Sequence, residues 1–414
     1  MTRTLFISRE IPDANGTGAR RRAAQHFGAL LLLGPVTIVL PKQPTSDTQH
    51  VIDRCMALGA ADVIIRSDVS IMTSRELAHM NATGWLAKLV TAIRRLPSVA
   101  ERPTRATAGT FEAVFDQGFD LVFAFRLSSA LWIEAVMSHI GLTVKHRVVD
   151  LDDIESIALA NGASRYLPST LSGRIRHRRD VRRIRKHERH IAKTWSQTLL
   201  CSSLDANRFL ALTGTRALVV PNTVKFLPVR DEKIGDCVRL LFVGTLSYPP
   251  NIEGIFWFMQ HVWPLLRAAD LTFTLDIVGF EPPAAVLELG MLPGVRVQAN
   301  PVNLHPIYDS VNIVIVPLFS GSGTRIKLIE AASRKRAVVA TMIGSEGLGF
   351  QHQTHLLIAD DAAGFADAVL LFGRNPAVRQ SMAQAAFERG EASFEIANVQ
   401  RTMADSIADL QSEQ

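Results

Sequence analysis

The stretch from Asn312 to Gly349, NIVIVPLFSGSGTRIKLIEAASRKRAVVATMIGSEGLG, limits what this chain can fold into more than any other. Asn312–Val316 is a short, apolar, β-branched run, the pattern of a strand covered on both faces. Pro317 ends it. Gly321 and Gly323 flank Ser322 in a loop suited to unusual backbone angles or to close approach of a ligand. Thr324 is placed to cap the helix that follows. Ile326, Ile329 and Ala332–Ser333 give that helix a buried face, and Ala337–Ala340 reads as the next strand. A strand–helix–strand unit of this kind aims backbone N–H groups from its loop and helix start at one point beyond the strand's carboxyl end, which makes an anion site. Arg325 and Lys327 add positive charge there. Glu330 offers two acceptor oxygens to sugar hydroxyls. Together these residues suit a diphosphate joined to a ribose.

The spacing Gly321, Gly323, Arg325, Lys327, Glu330 resembles the G-x-G-x-R-x-K-x-x-E loop and helix of one subgroup of glycosyltransferase family 4, the retaining GT-B enzymes that use nucleotide sugars. The resemblance extends to LLFVGTLSYPPNIEGIFWF (Leu240–Phe258), DIVGFEPP (Asp276–Pro283), VVPNTV (Val219–Val224) and VVDLDDIES (Val148–Ser156), in the family's order. It implies an α/β fold of the GT-B class, two doubly wound Rossmann-like domains facing a cleft. It also implies that Gly244 and Thr245, Gly321, Ser322, Gly323 and Thr324 line the donor site, that Arg325 and Lys327 stabilise the leaving diphosphate, and that Glu330 accepts the ribose hydroxyls. The chain departs from the family twice. The broader family has a second glutamate eight positions before Glu330, where this chain has Ser322. The family's arginine after the V-G of the first C-terminal strand is replaced by Thr245-Leu246-Ser247.

A chain of 414 residues with 47% hydrophobic and 20% charged residues is long enough for two globular cores. MTRTLFISRE reads as the start of a strand rather than as a signal peptide, and Ala29–Leu33 is too short an apolar run to span a bilayer. Cys55, Cys201 and Cys237 have neither metal nor redox spacing and fit small buried residues in a reducing compartment. The net charge of +6 favours an acidic partner.

Apolar strands alternate with helices along both halves, which predicts parallel sheets with ligands beyond the strands' carboxyl ends. The first half has strands at 4–8, 36–40, 62–66, 120–125, 147–149, 197–201 and 217–220. The second has them at 240–243, 273–278, 295–298, 313–316, 338–341 and 356–358. Asn251 is expected to cap a helix through Leu266. Residues 67–110 read as a helical insertion. The predicted domains are 1–225, an acceptor-side unit, and 226–393, a nucleotide-sugar unit. A final helix near 394–410 is expected to pack back on the first.

In the first half, Gly16 and Gly18 precede a helix start and suit closure over donor phosphate or acceptor. Asp150 and Asp152 are candidate catalytic carboxylates. A D-x-D pair also suits a divalent metal, but the motif's place after a strand points to acceptor positioning, so no metal or other cofactor is expected. His146 and Arg126 are expected near the same strand ends. Gly173–Arg189 carries nine arginines or lysines and predicts a long surface helix. On it Arg174, Arg178, Arg182, Arg185 and Arg189 share a face suited to anionic lipid head groups. Nucleic-acid binding is not expected, because no interleaved aromatics accompany the charge. The reading is a metal-independent, retaining glycosyltransferase, cytoplasmic and peripheral at the inner membrane face, that moves a sugar from a UDP- or GDP-sugar to a saccharide or lipid-linked acceptor. The alternative, set by Ser322 and Thr245, is a catalytically degenerate nucleotide-sugar-binding partner of another glycosyltransferase.

Overall fold

The computed structural model describes residues 1–14, 16–41, 48–66, 111–112, 114–116, 118–166, 171–227, 237–320 and 324–412. The insertion at 67–110 and the loop residues Gly321, Ser322 and Gly323 therefore lie outside the described residues. The chain divides into two compact units, Met1–Val220 with Gln400–Gln414, and Pro221–Val399. The division falls at 220/221, and the segment grouped with the first unit begins at Gln400, inside helix Ile396–Ser412.

The first unit holds a parallel sheet in the order β3-β2-β1-β4-β5-β6-β7. Its strands are β1 (Thr4–Ile7), β2 (Val36–Pro41), β3 (Asp62–Arg66), β4 (Leu121–Phe125), β5 (His146–Asp150), β6 (Gln197–Leu200) and β7 (Leu218–Val219). The order reverses direction between β1 and β4, whose register pairs Thr4 with Leu121 and Ile7 with Ala124. Leu5, Ile7, Val122 and Ala124 enter one core with Trp132. Their neighbours Phe6, Phe123 and Phe125 are equally buried. The strands are apolar throughout because both faces are covered.

The second unit repeats the plan in the order β10-β9-β8-β11-β12-β13. Its strands are β8 (Cys237–Thr245), β9 (Thr272–Phe280), β10 (Val295–Ala299), β11 (Ile313–Val316), β12 (Ala337–Ala340) and β13 (Leu357–Ile358). Ile313 and Ile315 enter one core cluster, Val314 and Val316 the cluster on the other face. At ~1.5–3 kcal/mol per fully buried aliphatic side chain, a four-residue strand of this kind is a large local contribution. The chain turns back between β8 and β11, and in open parallel sheets such a reversal leaves a crevice at the strands' carboxyl ends.

Two local expectations need correction. Helix Pro249–Trp257 starts after Tyr248, and Asn251 lies inside it rather than capping it. The helical stretch to Arg267 is broken by a π turn at Phe258–Val262; Pro264, which has no N–H to give, sits just past it. Helix Ile326–Ser333 has Arg325 at its N-cap with no side-chain cap bond, so Thr324 does not cap it.

Candidate functional site

The reversal point of the second sheet gathers residues from three separate segments. Gly244 and Thr245 end β8. Asn251 follows in the next helix, and Lys327 stands in the first turn of Ile326–Ser333. Asn251 joins them. Its Nδ2 donates to Thr245 O at 2.8 Å, and its Oδ1 accepts from Lys327 Nζ at 2.9 Å. Gly244 is required by this contact, because a Cβ there would lie 2.6 Å from Asn251 Nδ2. A Cβ on Gly279 would in turn collide with Gly244 O. Asn251 is thus a site residue that local sequence pattern misread as a cap. Its spacing of 76 residues from Lys327 leaves no periodic signal.

Lys327 Nζ also lies 4.9 Å from the Phe242 ring centroid, a cation–π contact. Burial pushes its ammonium down to about 7, and Arg325 pushes the same way against the smaller pull of Glu330. Arg325 itself is 6% exposed. Thr324 Oγ1 is buried with no hydrogen-bond partner among the described residues. Two basic side chains therefore stand together at the crevice, with Glu330 the carboxylate whose pull Lys327 feels. An anion entering there would restore the proton on Lys327.

Glu330 is 7% exposed and accepts the Tyr308 hydroxyl at 2.8 Å on Oε2. Its neighbour one turn on, Arg334, is held instead by Asp309, with Nε donating to Oδ1 at 2.8 Å. Arg334, although four residues on from Glu330, is thus paired with Asp309.

The first unit has its own polar centre at the carboxyl ends of β4 and β5. Asp150 is fully buried. Its Oδ2 meets Arg22 at 2.8 Å and His26 Nε2, and its Oδ1 accepts the Asp152 N–H at 2.6 Å. Arg22 also donates to Val220 O at 3.0 Å. Burial lowers the affinity of the His26 ring for a proton more than Asp150 raises it. The permanent charge opposing Asp150 is that of Arg22. Burial alone would raise the Asp150 carboxyl, but Arg22 and His26 hold it well below the usual carboxylate range.

Asp152 is different. Its side chain is 15% exposed, and it bridges Arg22 Nε at 3.5 Å to Arg126 at 2.9 Å. Arg126 and Asp152 both have left-handed backbones, with φ 73° and 63°. For non-glycine residues this costs roughly 1–3 kcal/mol each and clusters at ligand sites. The Arg126 N–H donates to Asp150 O at 2.6 Å, so the buried aspartate organises both strained residues. The two candidate carboxylates stand in different surroundings: Asp150 is buried against Arg22, while Asp152 reaches the surface with Arg126. Next to them, burial, Asp152 and Asp205 push the Asp153 carboxyl up to about 7. His146 begins β5 and so lies at its amino end, away from Arg126, which corrects the expectation that the two are close.

Gly16 donates its N–H to Asp13 O at 3.1 Å, so this amide closes a turn. Gly18 is the first residue of helix Gly18–Leu31, after Thr17 at the N-cap. Arg20, on that helix, pairs with Glu10 at 3.7 Å. Among the described residues no group of three or more His, Cys, Asp or Glu is arranged to hold a metal. No helix among them is long and apolar enough to cross a membrane.

These two domains, each a parallel Rossmann-like sheet, define the GT-B fold class. The chain aligns over its full length with all of the sucrose-phosphate synthase from Thermosynechococcus elongatus, at a TM-score of 0.68 and 15% identity. It aligns over 99% of its length with all of HepE from Anabaena, solved in complex with UDP-glucose, at a TM-score of 0.64 and 12% identity. Residues 237–375, which contain the Asn251–Lys327 cluster, match the family model described as glycosyl transferases group 1. Over 158 residues the chain is 31% identical to an uncharacterized 44.6 kDa protein in the cps region of Klebsiella pneumoniae. That match spans 36% of this chain and 40% of the relative.

Proposed function

We propose that this chain is a retaining glycosyltransferase that moves a sugar from a nucleoside-diphosphate donor to a saccharide or lipid-linked acceptor. The observation that carries the reading is the Lys327–Asn251 cluster. It sets two cations and a helix start at a sheet reversal point, inside the segment that matches the glycosyl transferases group 1 model. Charge grows on the diphosphate as the sugar leaves, and fixed donors aimed there are usually the largest source of rate. Arg325 and Lys327 are the electrostatic stabilisers, Thr245 and Thr324 polar contacts, and Glu330 the ribose acceptor. Within the first unit, Asp152 and Arg126 are the candidate acceptor-positioning residues, with Asp150 holding them in place. The UDP-glucose held by the Anabaena protein makes uridine the first donor base to try. The cps-region relative makes polysaccharide synthesis the natural setting.

A thermal-shift screen of UDP-, GDP- and ADP-sugars should give a rise in melting temperature with one base. Release of the nucleoside diphosphate in the presence of candidate acceptors should then follow and should survive EDTA, because Arg325 and Lys327 supply the charge a metal would. A protein that shifts with no nucleotide sugar loses this reading. Binding without turnover assigns it to the degenerate-partner alternative. Strict dependence on manganese, lost again in Asp152→Asn, overturns metal independence.

Membrane attachment is part of the proposal. Helix Leu171–Thr194 buries Ile184, Ile191 and Ala192 and exposes Arg174, Arg178, Arg182 and Arg189, while Arg185 is half-buried. Each exposed arginine adds ~1 kcal/mol on an anionic surface. The protein should co-sediment with phosphatidylglycerol vesicles at low salt and leave them near 1 M, where the Debye length is ~3 Å. Gln at 174, 178 and 182 should abolish co-sedimentation with nucleotide binding unchanged. Indifference of the unaltered protein to such vesicles at low salt would point to a soluble acceptor.

A further inference from the structure

We infer that Tyr308 is a positioning residue for nucleotide recognition: its hydroxyl fixes the Glu330 carboxylate in the orientation that reads ribose. The inference rests on the proposed role of Glu330 and extends it to a residue outside the sequence motif.

Tyr308 is fully buried on the short helix His305–Asp309, which precedes β11. A buried tyrosine hydroxyl needs an acceptor. A backbone carbonyl would satisfy it without charge, and Lys327 O is 3.5 Å away. The hydroxyl lies closer to Glu330 Oε2, at 2.8 Å, and has a single proton to give. The fold therefore carries the cost of a carboxylate that is 7% exposed where a neutral acceptor was within reach. A charge retained at such cost points to a task beyond packing.

The next residue completes the device. Asp309 grips Arg334, just past the end of helix Ile326–Ser333. Adjacent residues of one short helix thus hold the motif helix at Glu330 and at Arg334, fixing its rotation and its position along its axis. A carboxylate can accept about four hydrogen bonds, and Tyr308 supplies one of them, on Oε2. Fixed in this way, the group can accept vicinal diol hydroxyls without first losing rotamer freedom. Preorganisation of that kind converts directly into affinity.

Calorimetry with UDP and 2′-deoxy-UDP, or the guanosine pair if the screen selects GDP, tests this. The unaltered protein should prefer the ribonucleotide. Tyr308→Phe keeps the ring and removes one oxygen. It should weaken ribonucleotide binding roughly tenfold and leave the deoxynucleotide nearly unchanged, so the preference collapses. In Glu330→Gln the preference should also collapse, and adding Tyr308→Phe should take away little more, because both act through one group. An equal loss for both nucleotides in Tyr308→Phe, with a lower melting temperature, overturns the inference and leaves Tyr308 a packing residue. Preference lost in Glu330→Gln but kept in Tyr308→Phe overturns the inference while sparing the ribose reading. Preference kept in Glu330→Gln overturns the ribose reading, and this inference with it. Should Tyr308→Phe prove too unstable to titrate, Asp309→Asn, which loosens Arg334 on the same helix, should cause a smaller loss of preference. No change of preference in that variant overturns the inference equally.

Discussion

Replacing Asp150 by alanine is expected to destabilise the first unit severely, lowering its melting temperature by roughly 10 °C. The buried carboxylate is matched by Arg22, which is 1% exposed. Removing one partner of a buried pair strands the other and costs ~3–5 kcal/mol. For a domain of this size, 1 kcal/mol moves the midpoint by ~2–4 °C. Changing both partners together, Arg22→Met with Asp150→Leu, should cost much less, because neither charge is then stranded. The pair has a defined pH window. The Asp150 carboxyl is depressed on folding, so its contribution is complete above the unfolded value of about 3.9. It is lost as pH falls from there through the folded value. Scanning calorimetry of Asp150→Ala against the unaltered protein should show a constant gap from pH 7 down to about 4 that begins to narrow only below the unfolded value of about 3.9. An unchanged melting temperature with lost turnover would instead return Asp150 to the chemistry.

Lys327→Met should cut turnover by roughly 10²-fold or more, at ~3 kcal/mol per lost donor. Its side chain is shielded enough that the free ammonium titrates at about 7, while a bound diphosphate pulls it back up. Binding a nucleotide sugar near pH 8 must then take up part of a proton. Affinity should fall by up to tenfold per pH unit above 7 until the bound-state value is reached. Titration calorimetry at pH 8 in two buffers of different ionisation enthalpy should report proton uptake for the unaltered protein and none for Lys327→Met. Equal apparent enthalpies in both buffers for the unaltered protein would show that Lys327 does not meet the phosphate. The ligand-free fold carries the opposite sign. Between 7 and 10.5 the unfolded lysine binds more protons than the folded one, so stability there rises with pH.

The sheets were legible because their signal is local. Ile313–Val316 is buried on every side and reads so without any partner in view. Gly244 could be singled out as the end of a strand, though not for its reason, since the Asn251 side chain that forbids a Cβ comes from the next helix. Pairings at long sequence separation were not legible. Tyr308 lies 22 residues before Glu330, and Arg22 meets Asp150 across most of the first unit. Three consecutive arginines at 20–22 look alike in sequence, yet Arg22 is sealed inside while Arg20 reaches Glu10 near the surface. Asp150 and Asp152 likewise differ by a left-handed backbone at Asp152, which no spacing rule predicts for a non-glycine residue. Thr324 has the right chemistry for a cap, but the helix starts one residue too late for it to serve as one.

The first unit is assembled from both ends of the described sequence. Met403 Sδ lies 3.2 Å from His26 Nδ1, Gln400 donates to Gln25 O at 3.1 Å, and Thr2 donates to Gln411 at 2.8 Å. A ribosome that has finished Val220 has therefore not yet made the helix that covers His26. It must first synthesise all of Pro221–Val399, which takes on the order of ten to forty seconds at ordinary elongation rates. Throughout that interval the nascent first unit lacks its lid, and at its end the second unit has every residue it needs. The usual order of synthesis, in which the earlier domain folds first, is inverted: the second unit can finish while the first waits for its last helix.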